Sequence, residues 1–171
     1  PVMPENSGSA VAVSARLERI EREVVDVFVR LAEVAGLPRS VGELYGCLFI
    51  CPDPLPMDAL MERLHLSKGA VSQGLRLLRS FGAVRTVYVP GDRRDHFTAE
   101  CELRKLVSGY LQEKLVPHLR SGDERLKVIR ALLAETNGSV RRALQERVAQ
   151  LSRWHRRAEQ IIPLLLRMLQ Q

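Results

Sequence analysis

Lys68, Ser72, Gln73, Arg76 and Arg79 interleave with an apolar series, Val71, Leu75, Leu78 and Phe81, at helical spacing. A helix of this kind can turn one face to a core and offer the other to a partner. Guanidinium and amide groups on the free face match the edges of base pairs. Arg can donate two bonds to guanine and Gln can pair with adenine, each discriminating by about 1–3 kcal/mol. A solvated surface helix would carry the same residue types, so the neighbouring elements must decide what this face is for. Ser67 stands where it can cap the first turn, and Gly82 where it can end the helix in a left-handed conformation.

Upstream, PMDALMERLHL over 56–66 predicts a short helix with Met57, Leu60, Met61 and Leu64 on one side. A tight turn over 66–68 then leads into the polar-faced helix, the arrangement in which a second helix enters a major groove. Downstream, AVRTVYV (83–89) is rich in β-branched and aromatic residues, and DHFTAE (95–100) can pair with it. The turn expected between them, Pro90-Gly91-Asp92-Arg93-Arg94, would carry two guanidiniums at a hairpin tip, within reach of phosphates or a minor groove. In this reading Ser67 opens the helix, Ser72, Gln73 and Arg76 face base edges, Lys68, Arg79 and Arg85 neutralise phosphates, and Arg93 and Arg94 form the wing's contact.

The charge fits a polyanionic partner. The 171 residues carry a net charge of +6, with a pI near 9.7. The window 63–94 holds seven basic residues and one acid. A second basic cluster, Arg141, Arg142, Arg147, Arg153, Arg156 and Arg157, keeps the charge from pointing to one surface alone. An apolar content of 46% excludes general disorder, and no apolar run is long enough to span a membrane, so no membrane partner is expected. The start, PVMPENSGSAVAVSA, lacks the charged front and apolar centre of a signal peptide; 1–14 is expected to be a flexible arm.

Cys47, Cys51 and Cys101 are an odd set without a close CxxC, which fits a reducing cytoplasm. Cys47 and Cys51, four apart on an expected helix, could be half of a metal site or a redox pair. No second pair of ligands accompanies them, and His65, His96, His118 and His155 are scattered. They are read as small buried hydrophobes, and no metal or cofactor is expected. There is no nucleophile motif, no phosphate-cradling glycine loop and no clustered carboxylate–histidine set, so the chain does not read as an enzyme.

Long helices flank the winged segment. Leu17, Ile20, Val24, Val27, Leu31 and Val34 alternate spacings of three and four, a narrow seam suited to a partner helix. Leu144, Val148, Leu151, Ala158, Ile162, Leu165 and Leu169 continue a similar seam, with Trp154 and His155 in its gap and Pro163 expected to kink that helix or start a new one. Ser40-Val41-Gly42-Glu43 and Ser121-Gly122-Asp123-Glu124 read as capping boxes, 103–117 as a further helix, and Asn137-Gly138 as a helix end. The expected fold is mainly α with a small β-hairpin: a winged helix-turn-helix between N- and C-terminal dimerisation helices. Its segments are 1–14 (arm), 15–36 (dimerisation helix), 37–101 (winged helix-turn-helix) and 102–171 (C-terminal helical region).

The run 40–44 (SVGEL), Tyr45-Gly46, the proline-rich break at 52–56, LSKGAVS (66–72) and VPGDR (89–93) together resemble the GbsR-like branch of the MarR superfamily of winged-helix regulators. The likeness covers about residues 17–119 and is most specific in SKGAVS and VPGDRR. It implies a homodimeric, cytoplasmic transcription regulator, expected to be a repressor, whose terminal helices build the dimer and whose recognition helix reads a pseudo-palindromic operator in double-stranded DNA. Some relatives sense choline-type osmolytes, which need an aromatic cage. Among eight aromatics, Tyr45, Phe49, Tyr110 and Trp154 are the residues to consider, and their helical spacing reads as core. The identity of any small-molecule effector stays open. The alternative is a winged-helix adaptor that binds protein; it would show apolar or acidic residues where this chain has Lys68, Gln73 and Arg76.

Overall fold

A computed structural model describes residues 7–136 and 138–170. In chain order it contains α1 (Ser7–Val34), α2 (Arg39–Ile50), β1 (Leu55–Pro56), α3 (Met57–Leu64), α4 (Lys68–Ser80), β2 (Val84–Val89) and β3 (Asp92–Ala99). Then follow α5 (Leu103–Tyr110), a π-helical turn (Leu111–Leu115), α6 (Val116–Glu135) and α7 (Ser139–Gln170). Two compact units divide between Cys101 and Glu102.

The first unit is built around α2. Leu44, Leu48, Leu60 and Val71 are fully buried at its centre, each contributing about 1.5–3 kcal/mol of transfer free energy. Gly42 and Gly46 let α1 lie directly on α2. A Cβ at Gly42 would stand 2.6 Å from the Phe28 carbonyl oxygen, and one at Gly46 would stand 2.8 Å from Val25 Cα. The first flanking helix is therefore part of this unit, not a separate segment. It also begins at Ser7, earlier than the expected boundary at residue 15, while residues 1–6 of the expected arm lie outside the described residues. Its buried face is Val29 and Ala32, leaving Leu17, Ile20, Val27, Leu31 and Val34 exposed.

The sheet has three antiparallel strands in the order β1-β3-β2. The hairpin β2–β3 was legible in the sequence. Strand β1 was not: it is two residues, with Leu55 opposite Phe97 and Pro56 opposite His96, and a proline is tolerated there because the strand is an edge. The hairpin turn is also shorter than expected. Asp92 already pairs with Val89, so Pro90 and Gly91 alone form the loop, Gly91 at φ +86°, and Arg93 and Arg94 lie within β3.

Neither expected capping box forms. Helix α2 starts at Arg39 behind Pro38, with no side-chain cap, and Glu43 instead pairs back to Arg39 at 2.8 Å. Helix α6 runs straight through 121–124, where Ser121 Oγ donates to the His118 carbonyl at 3.1 Å. Serine, aspartate and glutamate in these positions find partners along the helix, so their spacing does not require a helix start. The helix expected over 103–117 continues into α6 through the π-helical turn. Pro117 lacks an N–H and crowds the preceding turn, and the widened turn accommodates that. Helix α6 ends at Glu135 with Gly138 beyond it at φ +88°, while Asn137 lies outside the described residues. Pro163 sits inside α7, which neither stops nor restarts there.

In the second unit α6 and α7 fold back on each other as a helical hairpin, and α5 meets α7. Leu126, Ser108 and Ser152 are buried. Leu144, Leu151, Trp154, Leu165 and Met168 on α7 stay exposed. Among the described residues no helix is long and apolar enough to cross a membrane.

Candidate nucleic-acid interface

Helix α4 is closed at both ends by the residues expected to close it. Ser67 Oγ accepts from the Ala70 N–H at 3.2 Å. At the other end Gly82 takes φ +68°, its N–H donates to the Arg79 carbonyl at 3.0 Å, and Ala83 N–H donates to Leu78 at 2.8 Å. Both bonds belong to a Schellman closure. Helix α3 ends at His65, at φ +51°, with Leu66 N–H on the Met61 carbonyl at 3.2 Å. The connection to α4 is thus the three residues 65–67.

The two faces of α4 separate cleanly. Val71, Leu75 and Leu78, with Phe81 beyond them, are buried, and Gly74 lies so close to Leu44 that a side chain there would collide with it. Lys68, Gln73, Arg76 and Arg79 are exposed and Ser72 is half-buried. Among the described residues none of these five is held in an ion pair or a side-chain hydrogen bond. The face presents three cations and an amide, and no acid.

The wing is organised by Asp92. Its carboxylate accepts from the Arg94 backbone N–H and from Arg94 Nε, both at 3.0 Å, while Arg94 Nη1 reaches the Asp58 carboxylate of α3 at 2.5 Å. The Arg94 hydrogen bond holds the Asp92 carboxyl well below the usual carboxylate range, and the same contact pushes the Arg94 guanidinium further up. Buried His96 rests its Nδ1 on the Arg94 carbonyl at 2.9 Å and brings Nε2 to 3.4 Å from Asp92. Arg94 therefore ties the wing to α3. Arg93, one residue earlier and so on the opposite side of the strand, is exposed and has no ion-pair partner among the described residues. The sequence reading treated these two arginines as equals; Asp58, thirty-six positions away, makes them different. Arg85 is exposed on β2 opposite Thr98.

Two features escaped the sequence reading. The β2–β3 register is interrupted between Val87 and Val89, leaving Tyr88 82% exposed beside the turn. An aromatic next to Pro-Gly could have signalled it. In addition, Met57, Asp58, Met61, Lys68, Arg94 and Asp95 line one shallow concavity, so the start of α4 and the base of the wing share a surface.

Tyr45 and Phe49 cluster with Phe28, ring centroids 4.7 and 5.0 Å from it, and Tyr45 donates its hydroxyl to the Glu100 carbonyl. Tyr45 is core and Phe28 half-buried, but Phe49 and Trp154, both expected in the core from their helical spacing, are exposed because no other element covers them among the described residues. Cys47, Cys51 and Glu21 can approach a common centre, but Arg63 already stands there, 2.9 Å from Cys51 Sγ and 3.6 Å from Glu21. Burial pushes the Cys47 thiol up to about 12, so at neutral pH it is a packed thiol and a poor ligand.

No protein-family model matches the chain. It is 29% identical over 100 residues to the HTH-type transcriptional repressor GbsR of Bacillus subtilis (strain 168), covering 58% of this chain and 55% of that protein. It is 36% identical over 66 residues to the HTH-type transcriptional regulator MmpR5 of Mycobacterium tuberculosis (strain ATCC 25618 / H37Rv), covering 38% and 40%. A solved structure described as a transcriptional regulator superposes with a TM-score of 0.56 at 24% identity, over 88% of this chain and 92% of that one. Over part of its length the chain is similar to these two HTH-type regulators. The matched stretches span about half the length of these curated relatives, or less. The fold is a winged helix-turn-helix with long flanking helices, as expected from the sequence.

Proposed function

We propose that this protein is a sequence-specific, double-stranded DNA-binding transcription regulator that acts as a homodimer. Helix α4 lies in a major groove with Ser72, Gln73 and Arg76 toward base edges, and Lys68, Arg79 and Arg85 neutralise phosphates. Arg93 contacts the flanking backbone or minor groove, and Arg94 holds the wing in position for it. The observation that carries this reading is the exposed face of α4, basic and amide-bearing without an acid, on a helix rigidly closed at both ends. The name of the Bacillus subtilis relative favours repression.

Two further features support the homodimer. The α1 seam and the outer face of α7 leave large apolar side chains uncovered, and apolar faces of this extent on a soluble protein usually meet a partner. Two copies would also present two reading helices to two half-sites.

The test is DNA selection from a random pool followed by gel-shift titration. Wild type should enrich a two-fold-related sequence. Arg76→Ala should lose about 1–3 kcal/mol of affinity and relax preference at one position per half-site. Unchanged affinity and preference in that variant would sink the assignment. Failure to enrich any sequence would favour the protein-binding adaptor.

A further inference from the structure

We infer that Asp123, His155 and Glu159 form a binding site for a divalent transition-metal ion of the zinc type, between α6 and α7. Each offers one ligand atom, and the three atoms lie within 4.8 Å of one another. His155 Nε2 is buried and has no hydrogen-bond partner, an expensive state for an imidazole nitrogen that a metal–nitrogen bond would relieve. Nε2 lies 3.5 Å from Glu159 Oε1. That separation fits the edge of a tetrahedron whose metal–ligand bonds are about 2.1 Å, roughly 3.4 Å. A modest rotation of the half-buried Asp123 side chain supplies the third ligand, and water the fourth.

The surroundings support a built site. Gly122 allows the imidazole to lie against the backbone of α6; a Cβ there would stand 2.7 Å from His155 Cε1 and 3.1 Å from Nδ1. Glu159 sits one turn beyond His155 on α7, a spacing that directs both toward one point. Lys127 now meets the acidic side of the site, with Nζ 3.0 Å from Asp123 and 2.9 Å from Glu124. Lys127 is exposed and can swing away, leaving the Asp123 carboxylate to a metal ion. One imidazole and two carboxylates suit a borderline metal better than calcium, which takes oxygen ligands. The contrast with Glu21, Cys47 and Cys51 is direct, because there a guanidinium fills the centre and a protonated thiol is one of the ligands.

The experiment is calorimetric titration of the reduced full chain with ZnCl2. One ion per chain should bind, and affinity should fall about tenfold or more in His155→Gln and Glu159→Gln, and in Gly122→Ala, where the ring is displaced. Lys127→Ala, which removes the competing cation, should bind more tightly than wild type, a gain that a misfolded variant cannot imitate. Zinc should raise the Tm of wild type and not of Glu159→Gln. The inference is overturned by the absence of binding, by binding that all four variants leave unchanged, or by binding lost instead in Cys51→Ser. None of those results would bear on DNA recognition by α4.

Discussion

Arg93 and Arg94 differ by one position and by a whole role. Arg94 is neutralised by Asp92 and Asp58, whereas Arg93 has no such partner among the described residues. Arg93→Ala should therefore flatten the salt dependence of DNA binding by close to one counterion, a log–log slope change of about 0.9. Arg94→Ala should leave that slope nearly intact and instead broaden the amide resonances of the wing, which NMR can read directly. Equal slope changes in the two variants would show that the clamp is not maintained on DNA. Asp92 adds a pH dependence of definite sign. Its folded pKa is depressed, so its contribution is present above the ordinary carboxylate value, about 3.9, and is lost only as pH falls through the lower folded value. Carboxyl chemical shifts should show Asp92 still ionised at a pH where unpaired aspartates are protonated.

At the scale of elements, α4 is bounded by its two closures, and α2 is held by the close approach of α1. Removing the cap in Ser67→Ala should cost about 1 kcal/mol, visible as a lower urea midpoint with an unchanged m-value. Gly42→Ala forces a methyl group against the backbone of α1 and should cost about 1–3 kcal/mol by overpacking. An alanine at an ordinary exposed helix position would stabilise, so a gain in stability for Gly42→Ala would contradict the observed helix approach. Gly74 lies against the Leu44 side chain, so α2 is the platform on which both α1 and α4 rest.

For the whole molecule, the uncovered apolar faces of α1 and α7 make self-association the central expectation. Leu31 and Leu151 are both exposed, at 56% and 44%. Leu31→Asp and Leu151→Asp together should give a monomer by light scattering with an unchanged far-UV CD spectrum. Such a monomer should bind a single half-site with a much smaller salt slope. A wild-type chain that is monomeric at micromolar concentration would remove the homodimer while leaving the α4 surface as it stands.

The chain order of the winged unit, the stripe Val71–Leu75–Leu78–Phe81, the cap at Ser67 and the left-handed Gly82 could all be read from residue types. Each depends on spacing within a few positions or on one residue's backbone freedom. The exposed polar face of α4 was legible for the same reason, since a helix that buries one stripe must expose the other. Local spacing misled at the two capping boxes, because serine and glutamate three apart also find partners inside a helix, as Glu43 does with Arg39. The remainder involved distant partners. Strand β1 exists only because β3 lies beside it, Arg94 is a clamp only because Asp58 lies within reach, and α1 joins the core only because two glycines in α2 let it approach. Pairings between residues far apart in the chain leave no periodic trace in it, so they became visible only when the fold brought those residues together.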